Sequence, residues 1–143
     1  MAIITLAADS TTLVLNGHAF TSFVVGDILS LTPINPLTGR VNGTNGSVNI
    51  QGRSDGGVHD LVVRVFKLSD DDVFLNSASN QAIPEVFDGS MKENFVKDGV
   101  DGVESFILES GSFTDQPPSS KNDQDGNALM EYTMQFRNAT RNL

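Results

Sequence analysis

The sequence predicts a mostly β fold: a small β-barrel or a sandwich of two packed antiparallel sheets, with one short flanking α-helix. Short runs rich in β-branched and aromatic residues recur along the chain, and glycine, proline, asparagine and aspartate separate them. Residues 130–136 (MEYTMQF) alternate strictly between apolar and polar side chains, which is the pattern of a strand with one buried face. The length of 143 residues suits one domain with its own core.

The first half of the chain is predicted to contain five strands. Asn16 and Gly17 form a strong hairpin-turn signal after the first of them. Pro33 and Pro36 end regular pairing, because proline has no amide hydrogen to donate to a neighbouring strand. The predicted strands are residues 11–16, 20–25, 28–32, 47–51 and 58–67.

Residues 33–57 are a long polar segment that contains six glycines and two prolines. Apolar side chains are sparse here, so we expect the segment not to pack onto its own domain. A connection of this length in a small domain is typically either functional or disordered.

A single helix is predicted at about residues 70–80. Ser69 is a favourable N-cap, and the three aspartates that follow it lie in the first turn, where the helix dipole stabilises negative charge. Val73, Phe74 and Ala78 suit one buried face of this helix.

The last third of the chain is predicted to end in two paired strands. Residues 82–98 fit either a strand or irregular structure, because a turn signal interrupts them. Residues 115–127 read as a polar loop that joins the two final strands into a hairpin with a long connection. Those strands are residues 103–114 and 128–137.

The composition excludes several classes of function. Eighteen acidic and nine basic residues give a net charge of -9, and no two lysines or arginines are adjacent, so a nucleic-acid binder with a cationic footprint is not expected. The chain has no cysteine and therefore no disulfide or thiolate metal site. No apolar stretch reaches the roughly 18 residues that a membrane span needs, and the N-terminus lacks the basic region of a signal peptide.

No motif in the sequence indicates an enzyme. The two histidines, His18 and His59, each lie beside a turn glycine and are far apart in sequence, so we interpret them as surface or strand-end residues. No serine has the context of a nucleophile elbow. We therefore predict no catalytic residues, no metal site and no cofactor.

The order of elements resembles that of the tail tube proteins of contractile-tailed bacteriophages, a superfamily that includes the secreted tube protein of type VI secretion systems. Four stretches carry the resemblance, which spans nearly the whole chain. They are TLVLNGHAFTSFVVGDILSL; the glycine-punctuated GRVNGTNGSVNIQGRSDGGVHDLVVRVF; the strand-to-helix VFKLSDDDVFLNSASNQ; and VESFILESGSF, followed by a last strand that ends in Phe-Arg-Asn-Ala.

The resemblance implies a structural protein rather than an enzyme. Residues 1–143 would form a single tube-like domain, six copies would form a ring, and stacked rings would form a hollow tube inside a sheath. Residues 33–57 would contact neighbouring subunits and become ordered there. The implied partners are further copies of the chain, the tail sheath, and the baseplate and tail-terminator proteins. DNA would pass through the tube during ejection without being held, no membrane would be bound, and the protein would be assembled in the host cytoplasm and reside in the virion.

The same resemblance suggests what the polar face of the last strand contacts. In a closed ring, one face of an inner strand points into a water-filled lumen, and the opposite face packs against the outer layer. The lumen candidates are Glu131, Thr133, Gln135 and Arg137. We expect an acidic lumen, because like charge keeps phosphates away from the wall.

Two other interpretations remain open. One is a monomeric ligand-binding β-sandwich, although the absence of tryptophan and the single tyrosine leave little for an aromatic platform. The other is a tube protein of the type VI kind. The alternating strand by itself favours an ordinary sheet with one solvated face, whereas the layout of the whole chain favours the tube.

Overall fold

The computed structural model describes residues 1–23, 28–121, 126 and 128–143, with the backbone alone at residues 7–10. In chain order, the elements of this part are β1 (Ile4–Leu15), β2 (His18–Ala19), β3 (Leu29–Pro33), β4 (Thr38–Asn42), β5 (Val48–Gly52), β6 (His59–Phe66), α1 (Asp70–Ser79), β7 (Phe87–Lys97), β8 (Val100–Phe113), β9 (Ser119–Lys121) and β10 (Ala128–Asn142).

Eight of these strands form one long antiparallel sheet, in the order β2-β1-β7-β8-β10-β6-β3, with β9 paired to β10. Strands β4 and β5 form a second, two-stranded sheet. The described residues form no closed barrel, and their arrangement is consistent with a β-sandwich. The predicted mostly β fold with one short helix is therefore confirmed.

The long sheet folds over its own core at β10, because this strand pairs with β6 along one part of its length and with β8 along the other. Residues 129–136 of β10 pair with β6, whereas residues 134–142 pair with β8. The segment that follows β2 makes a second connection within the sheet, between β1 and β6. Phe20 donates its amide hydrogen to the Leu13 carbonyl of β1 at 2.9 Å, and the Phe66 amide of β6 donates to the Ser22 carbonyl at 3.0 Å.

One apolar cluster fills the space between the halves. Its side chains come from β1, β6, α1, β7, β8, β10 and the segment that follows β2, so residues far apart in sequence share the same interior. Hydrophobic burial of this kind is the main favourable contribution to folding. The buried members are Leu13, Leu15, Phe20, Leu61, Val63, Val65, Leu75, Ala78, Phe87, Leu108, Tyr132, Met134 and Phe136.

The first turn and the position of the helix are as predicted, but the predicted buried face is wrong at Val73. Val73 is 58% exposed, whereas Leu75 and Ala78 are buried. Asn16 and Gly17 have positive φ angles of 48° and 82°, as a two-residue hairpin loop between β1 and β2 requires. Helix α1 begins after Ser69, whose hydroxyl oxygen accepts the Asp72 amide hydrogen at 3.3 Å.

Two predicted regions differ from the structure near the start of the chain. The strand predicted over residues 20–25 is wrong at residues 20–22, because this stretch crosses from β1 to β6 and does not follow one partner. Phe23 then makes a single bridge to Val65, and residues 24–27 lie outside the described part. The segment 33–57 is not simply a loop: β5 matches the predicted strand 47–51, and β4 pairs with it.

The later elements match the prediction more closely. Strands β8 and β10 pair antiparallel as expected, although both extend further than predicted. The ambiguous region 82–98 contains β7, which has a cross-strand partner on each side. The region 115–127 contains the short β9, and residues 122–125 and 127 lie outside the described part.

Candidate functional site

The predicted lumen candidates lie on the face of β10 that points away from the core. Glu131, Thr133 and Gln135 are half-buried and Arg137 is exposed, while Tyr132, Met134 and Phe136 on the opposite face are fully buried. The alternation in the sequence therefore identified the core face correctly. That the polar face borders a lumen stays a prediction.

Hydrogen bonds to β6 hold this polar face in place. The Arg64 Nε–H donates to Glu131 Oε2 at 3.0 Å, and the Gln135 amide donates to Asp60 Oδ1 at 3.2 Å. Both bonds follow from the antiparallel register, which places Glu131 opposite Arg64 and Gln135 opposite Asp60. The side chains are therefore fixed relative to each other across two strands.

The polar face is close to electrically neutral at this point. Asp60 and Glu131 contribute two negative charges to this face, and Arg64 and Arg137 contribute two positive charges. Hydroxyl side chains of Ser30 and Thr32 on β3 continue the surface beyond β6, and these two hydroxyls lie 3.5 Å apart. The acidic wall that we expected is therefore not supplied by these strands.

A second surface is the projecting hairpin formed by β4 and β5. Each residue of both strands is exposed, and their ladder pairs run only between the two strands. The turn at its tip is closed by the Gly43 amide, which donates to the Ser47 carbonyl at 2.7 Å. Several large apolar side chains on and beside the hairpin are open to solvent: Leu37 (73%), Val41 (67%), Val48 (45%) and Ile50 (61%).

Polar contacts close the base of the hairpin. The Arg53 amide donates to the Leu37 carbonyl at 2.9 Å, and the Arg53 guanidinium forms two 2.9 Å hydrogen bonds to the Asp55 carboxylate. These bonds raise the pKa of Arg53 and lower the pKa of Asp55. After the hairpin, the backbone at Gly57 packs closely against Asn138 of β10. A Cβ atom at this position would lie 2.6 Å from the Asn138 side-chain oxygen.

A third surface lies at the end of the sandwich where β1 begins and β7 ends. Here the core-side face of the sheet is uncovered, so Ile4 and Leu6 are 61% and 57% exposed. A groove of about 370 Å³ runs over them and over Phe95. Its remaining lining residues are Glu93, Lys97, Glu104, Arg141 and Leu143.

The start of α1 carries two buried carboxylates, which the sequence analysis explained by the helix dipole alone. Asp71 is 1% exposed and accepts hydrogen bonds from the His18 Nε2–H at 2.8 Å and from the amides of Thr21 and Ser22 at 2.9 and 2.6 Å. The His18 ring also stacks on Phe74 at 4.2 Å. His18 is thus a strand-end residue, as interpreted, but it also connects the first hairpin to the helix.

Asp72 satisfies a buried polar group of the core. Its Oδ1 accepts the Tyr132 hydroxyl hydrogen at 2.6 Å, and its Oδ2 accepts the Leu68 amide hydrogen at 2.8 Å. The pKa of Tyr132 is raised, mainly because the hydroxyl is buried and also because it donates to the negatively charged Asp72. The spacing Ser69-x-x-Asp72 resembles a capping box, which could have indicated a hydrogen bond of Asp72 at the helix start but not its contact with Tyr132.

The two histidines are not brought together. His18 contacts the helix, whereas His59 at the start of β6 donates its Nδ1–H to the Gly57 carbonyl at 2.7 Å. Within the described ranges, no group of three or more histidine, aspartate and glutamate side chains could hold a metal ion.

Helix α1, with ten residues, is too short to cross a membrane, and no other helix occurs in the described part.

Comparisons with solved structures identify the fold. The chain is similar to the tube protein of the PVC sheath–tube complex, an extracellular contractile injection system in its extended state: TM-score 0.65, 10% identity, covering 96% of this chain and 91% of that one. It is also similar to Hcp1 from Flavobacterium johnsoniae, with a TM-score of 0.50, 12% identity, and coverage of 92% and 93%. No family model and no curated protein matches the sequence. The chain therefore has the fold of contractile-tail tube proteins, which confirms the resemblance at the level of fold.

Proposed function

We propose that this chain is a structural subunit of the inner tube of a contractile tail, and that it has no enzymatic activity. The observation that carries the proposal is the fold match to an injection-system tube protein over 96% of the chain. The projecting hairpin supports it independently. Exposed apolar side chains on a two-stranded sheet outside the domain core are typical of a surface that contacts another protein.

The proposed assembly is a stack of six-membered rings. Glu131, Thr133, Gln135 and Arg137 would face the lumen, the tail sheath would surround the tube, and baseplate and tail-terminator proteins would bind its ends. The polar face of β6 and β10 suits a water-filled channel, because Arg64 pairs with Glu131 and Gln135 pairs with Asp60 across the strands. A wall with satisfied polar groups offers little to hold a passing polymer.

We further propose that the tube belongs to a bacteriophage and conducts DNA into the host. Arg64 is paired with Glu131, and hydroxyl groups extend the same surface on β3, so the wall presents neither an apolar platform for a protein cargo nor a cationic stripe for phosphate. A type VI-like or other injection-system tube would instead carry a protein cargo. The two roles share the tube and differ in what passes through it.

Negative-stain microscopy of the purified protein tests the tube. We expect rings or tubes of uniform diameter, together with a concentration-dependent increase in mass by light scattering. A monodisperse monomer at all concentrations would contradict the proposal and favour the ligand-binding sandwich.

Proteolysis tests whether the segment 33–57 takes part in assembly. Trypsin can cleave after Arg40 in the hairpin, where the backbone is exposed on both strands. We expect cleavage in free subunits and protection in assembled ones, since contact with a neighbour would cover the site. Equal cleavage rates in the two states would show that this segment is not an assembly contact.

A further inference from the structure

The dipeptide Asn-Gly occurs three times in the chain, and two of these pairs lie in the projecting hairpin formed by β4 and β5. An asparagine that precedes glycine is prone to lose its side-chain amide, because glycine has no side chain to keep its backbone nitrogen away from the asparagine Cγ. The structure holds the three pairs differently, so we expect them to react at different rates. The pairs are Asn16-Gly17, Asn42-Gly43 and Asn45-Gly46.

The side chain of Asn16 is held away from such a reaction by its own hydrogen bonds. Its Nδ2–H groups donate to the Val86 carbonyl at 3.0 Å and to Glu85 Oε1 at 3.4 Å. Its Oδ1 accepts the Asp88 amide hydrogen at 3.0 Å. The side-chain amide must leave all three partners before its carbon can approach the Gly17 nitrogen, and each lost bond adds to the barrier.

In the second pair, Asn42-Gly43, the backbone nitrogen of the glycine is already bonded. The Gly43 amide donates to the Ser47 carbonyl at 2.7 Å and so closes the tip of the hairpin. The surroundings are also crowded, since a Cβ atom at Gly43 would lie 2.7 Å from Ser47 Oγ and 3.0 Å from Asn45 Oδ1. Asn42 is itself paired with Val48 in the ladder. Reaction at Asn42 therefore requires the end of the ladder to open.

The third pair, Asn45-Gly46, lies in the turn and has the arrangement that favours reaction. Gly46 has a φ angle of +86°, and a Cβ atom there would meet no atom within 4 Å. Its amide donates to the Gly43 carbonyl over a longer distance, 3.2 Å. The Asn45 Oδ1 accepts the Ser47 amide hydrogen at 3.1 Å and the Ser47 hydroxyl hydrogen at 2.6 Å. Two donors in these positions stabilise the negative charge that develops on this oxygen when a nucleophile attacks Cγ.

We propose that Asn45 is a site of spontaneous deamidation and that the Ser47 hydroxyl activates it. The Gly46 nitrogen attacks Asn45 Cγ, the new C–N bond closes a succinimide ring, and the bond from Cγ to Nδ2 breaks. Ammonia leaves with the proton of the Gly46 amide. Water then opens the ring at either of its two carbonyl carbons, so that position 45 becomes aspartate or isoaspartate. This reactivity does not depend on the proposed tube function.

The reaction changes both the charge and the backbone of the projecting hairpin. Residues 38–52 contain one arginine and no carboxylate, in a chain with a net charge of -9. Deamidation introduces the first carboxylate into this segment and offsets the charge of Arg40. The isoaspartate product also adds one carbon to the backbone of the turn, so the hydrogen bonds that close the tip no longer fit. A chain that has reacted therefore presents a different hairpin from a newly made one.

Peptide mass spectrometry tests the proposal on the full-length chain. The protein is incubated at mildly alkaline pH, at a concentration low enough for light scattering to show monomers, and digested with trypsin after increasing times. Cleavage after Arg40 and Arg53 releases one peptide with both hairpin pairs, and fragmentation assigns the mass increase to Asn42 or Asn45. We expect Asn45 to react first, as two products of equal mass that separate by chromatography. Equal or faster reaction at Asn16 or Asn42 would overturn the proposal.

The same incubation in concentrated urea is the control for sequence effects. Unfolding removes the hydrogen bonds that distinguish the three pairs, so the differences in rate should shrink. Differences that persist unchanged in the unfolded chain would show that the local sequence sets the order, and they would contradict the structural argument.

Ser47→Ala tests the role of the hydroxyl. Loss of its hydrogen bond should slow deamidation at Asn45 by roughly fivefold, which corresponds to about 1 kcal/mol. Thr44→Ala is the matched control, because it removes a hydroxyl from the neighbouring position of the same exposed turn and should leave the rate nearly unchanged. Both variants should keep the melting temperature of the natural chain. An unchanged or faster rate in folded Ser47→Ala would overturn the activation, and an unreactive Asn45 in the natural chain would overturn the site itself.

Discussion

Phe136→Ala is the sharpest test of which face of β10 is the core. Phe136 is fully buried, and its ring lies over Gly111 on β8, where a Cβ atom would overlap the ring. A glycine opposite an aromatic ring leaves a recess that the ring alone fills. Replacing the ring by a methyl group should therefore open a cavity that the neighbouring strands cannot close easily.

The magnitude follows from the area of the ring. A buried aromatic side chain removes roughly 150–250 Å² from water, and at about 25 cal/mol per Å² this is about 4–6 kcal/mol. The alanine methyl retains a part of it, so we expect a loss of about 3–5 kcal/mol, the usual range for this substitution. In a domain of this size, that loss should lower the melting temperature by roughly 10–20 °C.

The matched control is Glu131→Gln on the opposite face of the same strand. Glu131 and Arg64 are both partly exposed and their ion pair is screened, so its loss should cost less than about 1 kcal/mol. Both variants are compared by thermal and urea unfolding monitored by circular dichroism. Equal losses of stability would refute the assignment of faces on which the lumen proposal depends.

Two further predictions concern the close packing of strands and the buried hydroxyl. Gly89→Ala should destabilise the protein by about 1–3 kcal/mol, because the new Cβ would overlap the Val14 carbonyl oxygen; Gly39→Ala, in open space, is the control, and equal melting temperatures for the two would contradict the packing. Burial and Asp72 raise the pKa of Tyr132 above its ordinary value of 10.0, so its contribution to stability should be complete below pH 10 and decline as the pH rises above it. Since Tyr132 is the only tyrosine and tryptophan is absent, near-ultraviolet absorbance during alkaline titration follows this one phenol, and ionisation at pH 10 in the folded state would contradict the reasoning.

The parts of the fold that could be predicted are those whose signals are local. The alternation around Tyr132, the Asn16-Gly17 turn and the Ser69 cap each depend on residues a few positions apart, so the sequence displays them directly. Strand β10 could be recognised because, along its first half, one face is buried and the other is partly exposed.

The missed features depend on partners that are distant in sequence. Strand β4 is short, glycine-containing and exposed on both faces, so neither alternation nor burial distinguishes it from a loop; only its pairing with β5 does. Asp71 is buried because His18 and the chain after it fold against the helix, at a separation of 53 residues. A run of three aspartates gives no local indication of which carboxylates will be covered.

The distribution of cationic groups determines how the protein should treat DNA. Arg64 bridges Glu131, Arg141 bridges Glu104, and Arg53 bridges a carboxylate two residues away. Arginines that already contact carboxylates are poor partners for phosphate, and nonspecific binding derives most of its free energy from such contacts.

We therefore expect no retardation of double-stranded DNA in a gel at low salt, where electrostatic binding is strongest. Glu131→Lys is the matched variant, because it removes the carboxylate that neutralises Arg64 and adds a positive charge to the same face. If the neutrality of this face keeps DNA unbound, the variant should retard DNA more strongly than the natural protein, and more so when assembled, since a ring repeats the change in every subunit. Micromolar, salt-sensitive retention of DNA by the natural protein would contradict a conduit that lets DNA pass freely, and it would favour a DNA-binding role.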